Sequence, residues 1–149
     1  MKPGDVAPEF ELPDQDGVPR RLSTMLQSGP VVLFFYPLAS SGGCTTEMCS
    51  VRDQQARFAA LGAQRVGISR DSVEAQKAFA EGNHFDYPLL ADVDASVCEA
   101  YGVKRNFGAA PVKRHTVVIG TDGTVTDVFK SEFRFAAHAD KALAALTPS

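Results

Sequence analysis

Six apolar residues in a row, Val31-Val32-Leu33-Phe34-Phe35-Tyr36, constrain this chain more than any other feature. A run that is apolar at every position, with no alternation of polar residues, reads as a fully buried strand, covered on both faces of its sheet. The residues just beyond the run point to chemistry. Pro37 ends it, a Gly42-Gly43 pair comes next, and a segment of helical character opens near Cys44. A thiol at such a strand-to-helix junction is set up to react. Unpaired backbone N–H groups and the positive end of the helix dipole stabilise the thiolate, which is the form that attacks electrophiles. A second thiol, Cys49, lies five residues further on.

Around this run, strand-like and helical segments alternate. Phe10-Glu11-Leu12 is apolar at alternate positions and leads into the turn Pro13-Asp14-Gln15-Asp16-Gly17, before Arg21-Leu22-Ser23. From Thr45 to about Leu61, Met48, Val51, Phe58 and Leu61 recur at helical spacing, and Gly62 marks the stop. Gln64 to Ser69 reads as a second buried strand. Asp71 or Ser72 caps a helix from Val73 to Ala80, with Glu74 in its first turn and Gly82-Asn83 ending it. A short extended piece, Tyr87 to Leu90, precedes a short helix, Asp94 to Tyr101, stopped by Gly102. His115 to Ile119, the Asp122-Gly123 turn and Thr124 to Phe129 form a hairpin, and the last helix runs from Ala136 to Leu146. The order predicts an α/β fold of thioredoxin-like type: a central mixed sheet flanked by helices on both faces, with an N-terminal β-hairpin extension. At 149 residues the expectation is one domain, residues 1–149.

Composition narrows the function. With 44% apolar residues, 22% charged residues and a net charge of -3, nothing favours nucleic acid or an anionic membrane as partner. The opening Met1-Lys2-Pro3-Gly4-Asp5 has no basic-then-apolar signal pattern, and no apolar run approaches the ~20 residues that span a bilayer, so the expected location is the cytoplasm. Three cysteines do not make a disulfide framework. A C-x4-C pair with three isolated histidines, His84, His115 and His138, is short of ligands for zinc, so neither metal nor cofactor is expected. Closely spaced thiols in a reducing compartment then suggest redox chemistry.

Pro37, Ser41 and Cys44 fit the order P-x-x-x-S/T-x-x-C, and Cys44-Thr45-Thr46-Glu47-Met48-Cys49 is followed by Val51-Arg52-Asp53. This stretch resembles the active site of the peroxiredoxins, and within them the peroxiredoxin Q, or bacterioferritin comigratory protein, subfamily. The resemblance covers the chain from end to end: Gly4-Asp5-x-Ala7-Pro8-x-Phe10-x-Leu12 is similar to the family's opening, Phe34-Phe35-Tyr36-Pro37 to its active-site strand, and Val112 to Ile119 to its arginine-bearing strand. It implies a thiol-dependent peroxidase acting on hydrogen peroxide and organic hydroperoxides. Cys44 would attack, Cys49 would resolve the sulfenic acid as an intramolecular disulfide, and thioredoxin or another thiol donor would restore the thiols. A monomer is implied as well.

Each residue has a physical reason to take part. A peroxide O–O bond yields to in-line attack by a thiolate, whereas a cysteine's ordinary pKa is about 8.5, so positive potential is needed. The helix N-terminus provides some, and Arg114 would add a permanent charge with directed donors. The Ser41 hydroxyl, in the place where Thr usually stands, could donate to the sulfur or the peroxide. Pro37 has no N–H and a fixed φ, which ends the strand and shields the sulfur. Glu47, expected on the first helical turn, could orient an arginine.

The spacing also carries a mechanical demand. Five residues along an intact helix put the two Cα atoms about 8.6 Å apart. A disulfide needs less than about 7 Å, so the first turn or two, from Gly43 to about Ser50, must unwind before Cys44 and Cys49 can join. Members of the subfamily commonly read Thr-Pro-Gly-Cys; here Ser41-Gly42-Gly43-Cys44 lacks the proline. Cys98, inside a short apolar helix pattern, reads as a buried hydrophobe. Arg52 and Asp53 read equally as a solvated face or local ion pair and as components of the site, Tyr36 as core, and the histidines as exposed or satisfied side chains. A thioredoxin-fold disulfide exchanger or redox-signalling module is the other class of function, but exchangers use C-x-x-C.

Overall fold

A computed structural model describes residues 1–106 and 111–147. In chain order the elements are β1 Glu11–Pro13, β2 Pro19–Arg21, α1 Leu22–Leu26, β3 Val31–Phe35, α2 Gly42–Asp53, α3 Gln55–Ala60, β4 Gln64–Ser69, α4 Val73–Asn83, β5 Leu89–Ala91, α5 Ser96–Ala100, β6 His115–Ile119, β7 Val125–Lys130 and α6 Ala137–Leu146. β1 and β2 pair antiparallel as the N-terminal hairpin. The other five strands form one mixed sheet in the order β5-β4-β3-β6-β7. β3 runs parallel to β4 and antiparallel to β6.

The apolar run accounts for this arrangement. Every residue from Val31 to Tyr36 is fully buried. Side chains alternate across a strand, so Val31, Leu33 and Phe35 enter one core with Phe10, Leu22, Met25 and Tyr101. Val32, Phe34 and Tyr36 enter the other with Met48, Val51, Phe58, Phe79 and Leu143. α1 and α5 therefore cover one face, and α2, α3, α4 and α6 the other. The expected central mixed sheet, covered on both faces and extended by an N-terminal hairpin, is the observed architecture.

Three local readings are corrected. The helix expected to begin at Thr45 begins at Gly42, because Ser41 caps it from outside, and it breaks at Gln54, whose φ and ψ of -94° and 17° divide α2 from α3. Both pieces bury the same face, which is why their apolar spacing reads as one helix. Gly82 does not end α4: the helix runs through Asn83 and the left-handed cap is His84, at φ 55°. Arg21-Leu22-Ser23 is the junction of β2 and α1, where the Leu22 N–H bonds to the Phe10 carbonyl and the side chain drops into the core.

The register places the site. Phe35 at the end of β3 pairs with His115 at the start of β6, so residues just after β3 and just before β6 emerge at the same end of the sheet. There α2 begins, and Arg114 faces it.

Candidate active site

The loop from β3 to α2 is pinned at both ends. Ala39 donates its N–H to Asp71 Oδ2 at 2.8 Å, and that oxygen also receives the Ser69 hydroxyl at 2.6 Å. Pro37 is half-buried between the strand and this loop. Ser41, in extended conformation, is the N-cap of α2: its Oγ accepts the Cys44 N–H at 3.4 Å and its carbonyl accepts the Thr45 N–H at 2.8 Å. The Ser41 hydroxyl proton goes to the Leu38 carbonyl, 3.0 Å away. Ser41 thus holds the backbone beneath the sulfur instead of donating to the sulfur itself.

Cys44 is the third residue of α2 and fully buried. Its Sγ accepts from Arg114 Nη1 at 3.3 Å. The same Nη1 donates to Glu47 Oε1 at 2.6 Å, Arg114 Nε donates to the Glu132 carbonyl at 3.1 Å, and the Arg114 N–H donates to Glu132 Oε2 at 3.0 Å. The guanidinium lies 4.8 Å from the centroid of the Phe135 ring. That ring presses against Gly43, where a Cβ would come within 2.7 Å of two ring carbons. A bare backbone at 43 lets Phe135 and Arg114 close over the start of the helix.

Glu47 is fully buried on the second turn of α2, not the first, since the helix starts three residues earlier than its apolar spacing indicates. Burial raises its carboxyl to about 7, against the opposing pull of the Arg114 charge and hydrogen bond. Its Oε2 has no hydrogen-bond partner and stands 3.8 Å from His138 Nδ1. His138, also fully buried, is 2.7 Å from Thr116 Oγ1 through Nδ1 and 2.8 Å from the Ser131 carbonyl through Nε2. Burial lowers this imidazole to about 4.

All three cysteines are free thiols. Cys49 is half-buried and turned to α4, where its Sγ lies 3.7 Å from Asn83 Oδ1. Along α2, then, one sulfur faces β6 and the other α4. Cys98 belongs to the core on the far side of the sheet from Cys44, and burial pushes its thiol up. Arg52 pairs with Asp53 at 3.0 Å and donates to the Asn83 carbonyl at 2.7 Å, and the Tyr36 hydroxyl bonds to Gln76 within the core. Among the described residues no group of three or more His, Cys, Asp or Glu side chains is arranged to hold a metal ion. The structure thus brings Cys44, Ser41, Arg114 and Glu47 together, leaves Pro37 in the loop that leads to α2, and sets Cys49 apart. Sequence reasoning missed Glu132, Phe135 and the approach of His138 to Glu47. The one signal for them was that His138 falls on the apolar stripe of α6 with Ala139, Ala142 and Leu143.

The AhpC/TSA family profile matches residues 3–128. This chain belongs to that family. Peroxidoxin BcpB from Mycobacterium tuberculosis is 57% identical in sequence and superimposes with a TM-score of 0.94 over 98% of this chain and 96% of its own. Peroxiredoxin Bcp of Escherichia coli is 37% identical over 148 residues, 96% of this chain and 94% of the relative. The bacterioferritin comigratory protein of Xanthomonas campestris, studied for alkyl peroxide reduction, is 28% identical with a TM-score of 0.86, covering 98% and 94% of the two chains. The fold is accordingly that of the thioredoxin-like peroxiredoxins, and the protein is a thiol-dependent peroxidase, an oxidoreductase.

Proposed function

We infer that Cys44 is the attacking thiol of this peroxidase and that its substrates are hydrogen peroxide and organic hydroperoxides. One observation carries this reading: Arg114 Nη1 stands 3.3 Å from the buried Cys44 sulfur, at the N-terminus of α2. Cation and helix end together favour the anionic sulfur. The thiolate attacks the near peroxide oxygen, the O–O bond breaks, and the leaving oxygen takes a proton to give water or an alcohol, while Cys44 becomes a sulfenic acid. Arg114 offers donors to the separating oxygens. Ser41 holds the first turn, Pro37 limits water access, and Glu47 orients Arg114.

Cys49 resolves the sulfenic acid. Its sulfur displaces the hydroxyl of Cys44 as water and forms the Cys44–Cys49 disulfide, after the first turns of α2 unwind. Two electrons from a dithiol such as thioredoxin then restore both thiols. We further read the protein as a single domain that works as a monomer in the cytoplasm, which sedimentation at assay concentrations and cell fractionation check. In a thioredoxin-coupled peroxide assay, Cys44→Ser is expected to abolish peroxide consumption. Cys49→Ser should consume one equivalent and then stall. Full activity of Cys44→Ser would remove the reading.

A further inference from the structure

The candidate active site is closed to solvent. Cys44 and Glu47 are fully buried and Arg114 nearly so, and a peroxide therefore reaches the sulfur only when a covering group gives way. On one side the cover is the loop from β3 to α2, held by the bond of Ala39 to Asp71 and by the Ser41 cap. On the other it is the connection from β7 to α6, whose Phe135 ring lies over both Gly43 and Arg114. Phe135 is only half-buried, and Phe133 and Arg134 just before it are exposed. The ring thus has one side on the site and part of its surface in water.

The direction of attack decides which part of a substrate meets that ring. With an organic hydroperoxide, the Cys44 thiolate bonds to the terminal oxygen, and the O–O electron pair leaves with the oxygen that carries the organic group. That oxygen takes a proton from water and departs as the alcohol. Attack is in line, so the organic group lies on the side of the peroxide away from the sulfur, towards the opening. Hydrogen peroxide has no such group. Arg114 offers its donors to the two oxygens. Beyond them stands the Phe135 ring, 4.8 Å from the guanidinium and so close to Gly43 that a Cβ there would come within 2.7 Å of its outer carbons. A ring held in this way presents apolar surface that needs little further ordering when a ligand packs on it.

We propose that Phe135 is a specificity-determining residue of the peroxidase: its ring borders the way to the Cys44 sulfur and packs against the organic group of an alkyl or aryl hydroperoxide, which raises the use of those substrates relative to hydrogen peroxide. Contact of one apolar group with an apolar wall is worth about tenfold or more in kcat/KM. The inference rests on Cys44 being the attacking thiol and on organic hydroperoxides being among its substrates.

The test is the ratio of kcat/KM for cumene hydroperoxide to kcat/KM for hydrogen peroxide, measured on the full-length chain in the thioredoxin-coupled assay. In a ping-pong scheme each kcat/KM reads the peroxide step and not the regeneration of the thiols. Phe135→Ala is expected to lower the ratio about tenfold. Phe135→Leu keeps an apolar side chain and should retain most of the wild-type ratio, whereas Phe135→Gln, of similar reach but polar, should lose it as Phe135→Ala does. The Leu and Gln variants decide the matter if Phe135→Ala does not fold. A ratio that stays at the wild-type value in the Ala and Gln variants, because both substrates fall together or neither does, marks the ring as a support for Arg114 alone and overturns the proposal. So does a ratio that falls equally in the Leu and Gln variants. Cys44→Ser tests the attacking thiol separately: an inactive Cys44→Ser beside an unmoved ratio removes this inference and leaves that reading standing.

Discussion

Arg114 makes three kinds of contact at once, to a sulfur, a carboxyl oxygen and a backbone carbonyl. A lysine is a single point charge on a flexible stem and cannot span them. Arg114→Lys is expected to lower kcat/KM about 10²- to 10³-fold, the range for losing one preorganised donor at a developing charge, with the far-ultraviolet circular dichroism unchanged. At this scale the sequence was uneven in what it revealed. Cys44, Ser41, Pro37 and Glu47 fall in one short stretch that resembles the peroxiredoxin active site, and Arg114 is legible through the resemblance of Val112 to Ile119 to the family's arginine-bearing strand. Glu132, Phe135 and His138 belong to the β7–α6 connection and the helix after it. Their approach to Arg114 and Glu47 depends on how α6 and the connection before it pack against β6 and α2, which no local spacing encodes. A lone histidine among alanines and leucines reads as a satisfied core residue, and the bonds of His138 to Thr116 and the Ser131 carbonyl are what satisfy it.

α2 is both the activating element and the one that must yield. It is continuous from Gly42 to Asp53 with its thiols free, and the two sulfurs are directed to different neighbours. Circular dichroism should therefore lose helical signal when peroxide converts the thiols to the disulfide. The cap at Ser41 makes Gly42 the first helical residue, the position where a proline is best tolerated because its missing N–H has no partner in the helix. Ser41 has φ -73° and ψ 158°, which suits a residue before proline, and a Cβ at 42 would touch nothing within 4 Å. Gly42→Pro is expected to stabilise the protein by about 0.4–1 kcal/mol in urea unfolding and to slow disulfide formation after peroxide, measured by stopped flow. The sequence located the helix but not its first residue: the apolar spacing begins at Met48, and a cap contributes a hydrogen bond rather than a repeating side chain. The break at Gln54 was hidden for the converse reason, since α3 keeps burying the same face.

For the molecule as a whole, Glu47 and His138 exchange a proton on folding. In the unfolded chain, between their ordinary values of 4.5 and 6.5, the histidine carries it; in the folded protein, with Glu47 raised to about 7 and His138 lowered to about 4, the carboxyl does. Each alone tilts stability with pH. Glu47 makes stability fall as pH rises from about 4.5 to 7, and His138 makes it fall as pH drops from about 6.5 to 4, so within the shared window the two cancel. Glu47→Gln removes one side of the balance. Relative to wild type, its unfolding free energy should gain an upward slope of about 1 kcal/mol per pH unit between about pH 5 and 6.5, measured by urea titration at several pH values. Equal slopes in the two proteins would refute the exchange. A central sheet covered on both faces was legible at this scale because one wholly apolar strand demands cover on both sides, whereas the order of the strands was not.

The pairing of Phe35 with His115 has a consequence for how such a protein can be altered. The gap between the Cys44 sulfur and Arg114 is set by the end of one ladder and the short capped loop that follows β3, not by the whole stretch of chain between them. Beyond α2 and Asp71 the turns of that stretch can be extended, trimmed or exchanged between relatives, and the reactive pair keeps its spacing as long as β3 and β6 keep their register and the loop from β3 to α2 keeps its length and its bond to Asp71.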